Sequence, residues 1–243
     1  TEIEQEKRPD VDQIIELFGG YIHLSPKELI DNDTSSKNYD EILAFINESL
    51  KVNLVFTLNT LAHHFNDIQS QNKLGIMFFE DEYYMKDVDK AIYYIELAAN
   101  QNNSAALYNL GLIYLDHNIE KALFYLNASS DQQYAEAQFK LGLIYYLGQN
   151  VPKNIEKAIY YYRLAADQNH KDALNNLGNI YLICKKDINS AIHYFTLAAN
   201  LNDQFSQYVL GCIYYNNRLV RRDADLFIHY FTLAANQNNA ESQ

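Results

Sequence analysis

From about residue 70 to the end of the chain, apolar and small residues recur at helical spacing in two alternating blocks. The first block runs NKLGIMFF at 72–79, YNLGLIYL at 108–115, FKLGLIYY at 139–146, NNLGNIYL at 175–182 and YVLGCIYY at 208–215. The second runs KAIYYIELAA at 90–99, KALFYLNASS at 121–130, KAIYYYRLAA at 157–166, SAIHYFTLAA at 190–199 and LFIHYFTLAA at 226–235. Repetition on this scale marks a solenoid, in which each unit buries its apolar face only against its neighbours.

The glycines Gly75, Gly111, Gly142, Gly178 and Gly211 lie 36, 31, 36 and 33 residues apart, and the variation sits in one place. From the small position of the second block (Ala91, Ala122, Ala158, Ala191) to the next glycine the step is always 20. From each glycine to the following second block it is 16, 11, 16, 13 and 16. Packing therefore fixes the junction after the second block, and the link before it is a surface loop that tolerates changes of length.

Each block predicts a helix. A glycine in mid-helix costs roughly 1 kcal/mol against Ala, which points to close approach of a second helix, with Ala91, Ala158 and Ala191 as the natural small partners. Asp87, Asn118, Asn154, Asp187 and Asp223 stand four residues before the small position as N-caps of the second helix. Asn102, Gln133, Asn169, Asn202 and Asn238 stand where a left-handed residue would stop it. The predicted unit is helix, variable loop, helix, capped turn.

This unit resembles the Sel1-like repeat, a relative of the tetratricopeptide repeat. The family pattern A-x-x-x-L-G-x-x-Y followed by K-A-x-x-Y-x-x-x-A-A is met by Ala137, Leu141, Gly142, Tyr145, Lys157, Ala158, Tyr161, Ala165 and Ala166. Departures are Asn for the family's turn glycine, Ser129–Ser130 closing the second copy, Phe227 at the small position of the fifth, and Ser70 and Phe78 in the first. The resemblance implies an all-α fold, a right-handed α-solenoid of antiparallel helix pairs. Repeats are expected at about 70–105, 106–136, 137–172, 173–205 and 206–241, with a sixth opening at 242. The stretch AESQ at 240–243 copies AEAQ at 135–138, as if the chain stopped inside a longer array.

Residues 1–69 are expected to form a helical extension that caps the array, since solenoid ends need covering. Within it, apolar Val11, Ile14, Ile15 and Phe18 precede Gly19–Gly20, and Ser25–Pro26–Lys27–Glu28 opens a further helix. Two longer helices are expected near 38–52 and 54–66. Ile42, Phe45 and Ala62 also overlay a degenerate half-repeat, with Ala62 at the glycine position.

The net charge of −12 argues against nucleic acid or an anionic membrane as the main partner. Arg218, Arg221 and Arg222 form the one basic run, in the variable loop of the fifth repeat. No apolar run approaches the ~20 residues of a membrane span. Cys184 and Cys212 offer neither a disulfide framework nor a metal spacing. A reducing compartment, the cytoplasm, is the default expectation, and N-x-S/T matches at Asn32, Asn47, Asn102 and Asn127 carry little weight in a chain so rich in Asn. No nucleophile motif, phosphate loop or dinucleotide fingerprint is present. His63–His64 point in different directions on a helix, and His193 and His229 occupy the position of Tyr93, Phe124 and Tyr160. No enzyme activity, metal or cofactor is expected.

What remains is surface. With the first-helix Leu at 0° and 100° per residue, positions −2, +2 and +5 fall at about 160°, 200° and 140°, opposite the packed arc. In the related tetratricopeptide arrays this side lines the concave groove. It holds Tyr108, Leu112, Phe139, Leu143, Tyr146, Asn175, Asn179, Tyr208 and Tyr215, together with Asn72, Ile76, Phe79, Leu115, Leu182 and Cys212. Contact between neighbouring first helices accounts for part of that apolar character. The rest predicts an aromatic groove for a protein or extended peptide, with Asn side chains for hydrogen bonds. None of these positions is Lys or Arg, which argues against a clamp for a chain-terminal carboxylate. The expected function is a non-catalytic adaptor, the alternative a module that associates with itself within a longer array.

Overall fold

The computed structural model describes residues 57–63, 66–80, 86–148, 150–216, 220 and 223–241, with side chains to Gln237. The expected helices before residue 57, His64 and the Arg218, Arg221 and Arg222 run lie outside the described residues. The chain divides into two units, 1–57 and 58–243, and all five repeats lie in the second.

Every regular element among the described residues is helical. The helices pair as α1 (Ile68–Glu80) with α2 (Val88–Ala99) and α3 (Ser104–Tyr114) with α4 (Ile119–Asp131). They continue as α5 (Ala135–Leu147) with α6 (Ile155–Ala166), α7 (Lys171–Asn179) with α8 (Ile188–Asn200), and α9 (Gln204–Tyr215) with α10 (Ala224–Glu241). Contact is densest within each pair and next densest from each second helix to the following first helix, the arrangement of an α-solenoid.

The local signals predicted for the second helices are present. Asp87, Asn118, Asn154, Asp187 and Asp223 accept from the amides of Lys90, Lys121, Lys157, Ser190 and Leu226. The amide of each capping residue in turn donates to the carbonyl of the first-helix aromatic, Phe78, Tyr114, Tyr145, Tyr181 or Tyr214, at 2.8–3.3 Å. That one bond closes every loop at the same two points, so loop length varies without moving the helices.

Asn102, Gln133, Asn169 and Asn202 have φ of 61–62°. Nested backbone bonds from each turn reach back into the preceding helix, for example Asn169 N to Ala166 O and His170 N to Ala165 O. Asn238 departs from the expectation, because α10 runs unbroken through Glu241. A second departure is in the fourth repeat, where α7 continues as a π-helical segment, Ile180–Lys185, ending at left-handed Lys186.

Of the alanines named as partners, only Ala91 lies against its glycine: a Cβ on Gly75 would come 2.9 Å from Ala91 O, whereas Gly142 and Gly178 face large rings. A Cβ on Gly142 would lie 2.5 Å from Cδ1 of Tyr162, and the equivalents meet Ile95, Leu126, Phe195 and Phe231. The large residue four after the small position lies across the glycine. Ala91, Ala158 and Ala191 are themselves fully buried.

Tyrosine joins the two helices of each pair. Phe78–Tyr94, Tyr114–Tyr125, Tyr145–Tyr161, Tyr181–Tyr194 and Tyr214–Tyr230 stack with centroids 5.4–6.0 Å apart and planes within 13° of parallel. Lys121 and Lys157 place their ammonium groups 4.8 Å over Tyr114 and Tyr145, adding cation–π attraction.

Turns are tied to first helices by amide pairs: Gln101 donates to Gln71, Gln168 to Gln138 and Gln237 to Gln207, at 2.7–2.8 Å. The fourth repeat has Leu174 and Leu201 at these two positions, in one apolar cluster. Before α1, Gln71 donates to Ala62 O and Asn66 Oδ1 as Gln207 does to Ala199 O and Asn202 Oδ1. Asn66 has φ 51°, and Asp67 accepts from the Ser70 amide to cap α1. Residues 58–63 with 66–67 thus repeat the end of a second helix and part of its turn. Ala62 sits by the turn rather than at the glycine position on which the half-repeat overlay put it.

Candidate interaction surface

The residues expected to line the groove fall into three rows along the first helices. The −2 row is largely consumed where neighbouring repeats meet. Tyr108 lies half-buried with its ring 5.5 Å from that of Tyr134. Burial first, then the Glu136 charge, pushes its phenol pKa up. Phe139 stacks at 4.6 Å on the imidazole of His170. Asn175 accepts from the Ser206 hydroxyl, and Asn72, 8% exposed, accepts from Asn109. Only Tyr208 of this row stands open, 54% exposed.

Two of these contacts involve the residue preceding a first helix. His170 Nδ1 accepts from the Ala173 amide at 3.3 Å, which caps α7 and puts the ring proton on Nε2, 3.1 Å from Glu136. Tyr134, in the same position before α5, makes no side-chain cap. Its ring covers Tyr108 instead.

The other two rows are more open. Leu112, Leu143 and Asn179 are half-buried, as are Ile76 and Cys212. Tyr146 is half-buried beneath the Lys153 ammonium, 5.1 Å from its ring centre. Tyr215 is 59% exposed and meets Phe227 edge-on. The polypeptide thus leaves a half-open strip over Leu112, Leu143, Tyr146 and Asn179, with the Lys153 ammonium over Tyr146 and with Tyr208 and Tyr215 towards its end.

A second row, aligned in the sequence but not read there as a surface, lies on the second helices. Tyr93, Phe124 and Tyr160, on the second helices, are 50%, 68% and 59% exposed, and His193 and His229 continue the row. Each ring lies edge-on, 5.1–5.3 Å from the stacked Tyr that follows it. The signal was available: the position lies two residues, or about 200°, from the buried small residue, and is aromatic or His in every copy.

Among the described residues no three His, Cys, Asp or Glu side chains converge on a metal position. His63 bonds the hydroxyl of Tyr94, which also donates to Asn59. Cys184 and Cys212 are free thiols. Among the described residues no helix is long and apolar enough to cross a membrane.

A stack of packed helix pairs with exposed surface rows defines a helical-repeat fold. The chain belongs to the Sel1 repeat family, matching its description at 68–103, 104–134, 135–170, 171–203 and 204–239. These units begin two residues before those drawn from the sequence, because each first helix starts at its cap. The family is generally a non-catalytic protein-interaction fold. A search of curated proteins returned no match.

Among solved structures, c5321, a protective antigen of uropathogenic Escherichia coli strains displaying an SLR fold, is 27% identical with a TM-score of 0.60. That match covers 70% of this chain but only 38% of the antigen. A Sel1 repeat protein from Oxalobacter formigenes is 24% identical over 70% of this chain and 73% of its own, with a TM-score of 0.61. The immunity protein PA5088 from Pseudomonas aeruginosa, 15% identical over 94% and 83%, has a TM-score of 0.51. The last two likenesses speak to fold alone.

Proposed function

We propose that the protein is a non-catalytic adaptor that holds a protein or extended peptide along the concave side of its first helices. The observation that carries this reading is the strip of Leu112, Leu143, Tyr146 and Asn179, half-open in consecutive repeats, its own side chains uncharged and the Lys153 ammonium beside it. A strip meant only for water would hold charge, and one fully consumed by packing would be buried. The strip favours an uncharged, partly apolar ligand segment whose affinity depends weakly on salt. Tyr146 supplies area and a hydroxyl, Leu112 and Leu143 supply apolar contact, and Asn179 bonds ligand backbone.

The test isolates partners on the immobilised chain and remeasures them with Leu143→Lys and Tyr146→Ala. Each substitution should weaken binding by at least ~1 kcal/mol with helicity unchanged. Normal binding by both variants, with loss on Phe124→Ala and Tyr160→Ala, would move the site to the exposed row of the second helices.

A further inference from the structure

The outward row of the second helices lies in the interior of the array, and its surroundings bear on what would cover it. Tyr93, Phe124 and Tyr160 are each at least half exposed in three consecutive repeats. A single exposed ring would need no explanation; three in register do. Each is propped edge-on by the Tyr that follows it, which in turn stacks on a first-helix ring. Tyr161 also donates to Asn127 of α4 at 2.8 Å, tying neighbouring second helices together behind the row. One turn before each exposed ring stands an exposed carboxylate, Asp89, Glu120 or Glu156. Two more carboxylates act across to the next second helix. Burial is the main cause that raises the phenol pKa of Tyr125 and of Tyr161, and the charges of Glu96 and Asp131 add to it.

The cations of these helices are committed elsewhere. Lys90, Lys121 and Lys157 reach over the first-helix rings Phe78, Tyr114 and Tyr145 at 4.8–5.5 Å, and Arg163 donates to the Tyr181 hydroxyl. Among the described residues no cation stands over Tyr93, Phe124 or Tyr160. Glu156 pairs with Lys185, whereas no described residue forms an ion pair with Asp89, Glu96, Glu120 or Asp131.

We propose that this face, from α2 to α6, docks a basic segment of a partner protein, whose Lys or Arg side chains lie against Tyr93, Phe124 and Tyr160 with their charges beside the neighbouring carboxylates. The chain displays the same chemistry one layer inside, where its own Lys121 and Lys157 sit over tyrosine rings. Charge selects the occupant. A cation meets aromatic rings and carboxylates together here, whereas an acidic segment, or a second copy of net charge −12, brings like charge to the same place. The face ends at the fourth repeat, where Arg163 borders it and Asn189 and His193 replace the carboxylate and the ring. The inference is independent of the groove on the first helices.

The probe is a dye-labelled peptide of about twelve residues alternating Lys and Ser, titrated with the 243-residue chain by fluorescence anisotropy from about 20 to about 300 mM salt. Binding that weakens steeply with salt is expected, and none by the same peptide with Glu for Lys. A negative chain would show that much by charge alone, so the variants decide. Phe124→Ala and Tyr160→Ala remove no charge and alter exposed side chains. Each should raise the dissociation constant about two- to fivefold with circular dichroism unchanged. Glu120→Gln should weaken binding more than Asp172→Asn, an equal change of charge at an exposed position of α7. No binding at the lowest salt would overturn the proposal, as would folded ring variants that bind like the parent. Equal losses from Glu120→Gln and Asp172→Asn would overturn it too, assigning the attraction to net charge rather than to this face.

Discussion

Replacing Gly142 by Ala sets two effects of similar size against each other. Ala gains roughly 1 kcal/mol of helix propensity over Gly in a helix interior. Against that, the new methyl would lie 2.5, 2.7 and 3.0 Å from Cδ1, Cε1 and Cγ of Tyr162. That ring is 0% exposed and tilted against Phe139, so it has no empty space to enter. Overpacking of this kind costs about 1–3 kcal/mol, and the net expectation is a loss of up to ~2 kcal/mol. Gly211 is the control. Its added methyl would sit 3.1–3.2 Å from Phe231, a half-buried ring at the open end that needs to shift only slightly. Gly211→Ala should therefore be neutral or mildly stabilising, and the propensity gain cancels from the difference. Urea unfolding followed by circular dichroism measures both, with midpoint and slope compared because repeat arrays unfold less cooperatively than single-core domains. A Gly142→Ala protein as stable as Gly211→Ala would refute the claim that the Tyr162 ring fixes this glycine.

Tyr162→Phe should be neutral or stabilising by up to ~1 kcal/mol in the same assay, since the buried hydroxyl has no partner of good hydrogen-bond geometry, the Asn176 side chain beside it offering at most a poorly aligned one. Burial holds that phenol far above its ordinary range, so a spectroscopic titration should leave it protonated after the exposed tyrosines have ionised. Asn169→Ala should cost about 1 kcal/mol because the residue is left-handed, and Asn169→Gly should not. Asp87 and Asp187 are held below the ordinary carboxylate range, mainly by the Lys90 amide and the Ser190 hydroxyl respectively. A depressed folded-state pKa gives stability that is present above the unfolded value and lost as pH falls through the folded one. Melting should therefore drop below about pH 4, and less so in Asp87→Asn, which keeps a capping oxygen.

What the sequence made legible was local. Caps, left-handed turns and the small positions are each decided within a few residues, so Asp87, Asn118 and Asn169 could be assigned by spacing alone. The helix pairs followed because the constant step of 20 reports a packed junction. The −2 row was harder, since its fate depends on residues roughly a repeat away. Nothing near Phe139 announces that His170 will cover it, or near Asn175 that Ser206 will bond it. The partner of Gly142 was missed for a related reason. A small residue was sought opposite a small residue, whereas Gly142 leaves room for a large ring and Ala158 is buried elsewhere in the same layer.

The amide pairs show how this scaffold tolerates sequence change. Gln71, Gln138 and Gln207 are almost fully buried, and each accepts from a turn Gln while donating to the preceding helix. Losing one partner leaves a buried amide unsatisfied, at about 1–3 kcal/mol, whereas exchanging both for apolar groups of similar size can be nearly neutral. The fourth repeat already carries that exchange, with Leu174 and Leu201 in contact with a shared core and the same turn geometry at Asn202. The second repeat shows a half-way arrangement. Leu107 replaces the buried Gln, and Gln132 turns to Asn102 on the exposed side, where an imperfect pair still has water. Joints of this kind keep the stacking constant while their chemistry varies from one copy to the next. Together with loops closed by a single cap-to-aromatic bond, they leave the outward rows free to differ between repeats, and those rows are where a binding scaffold must be specific.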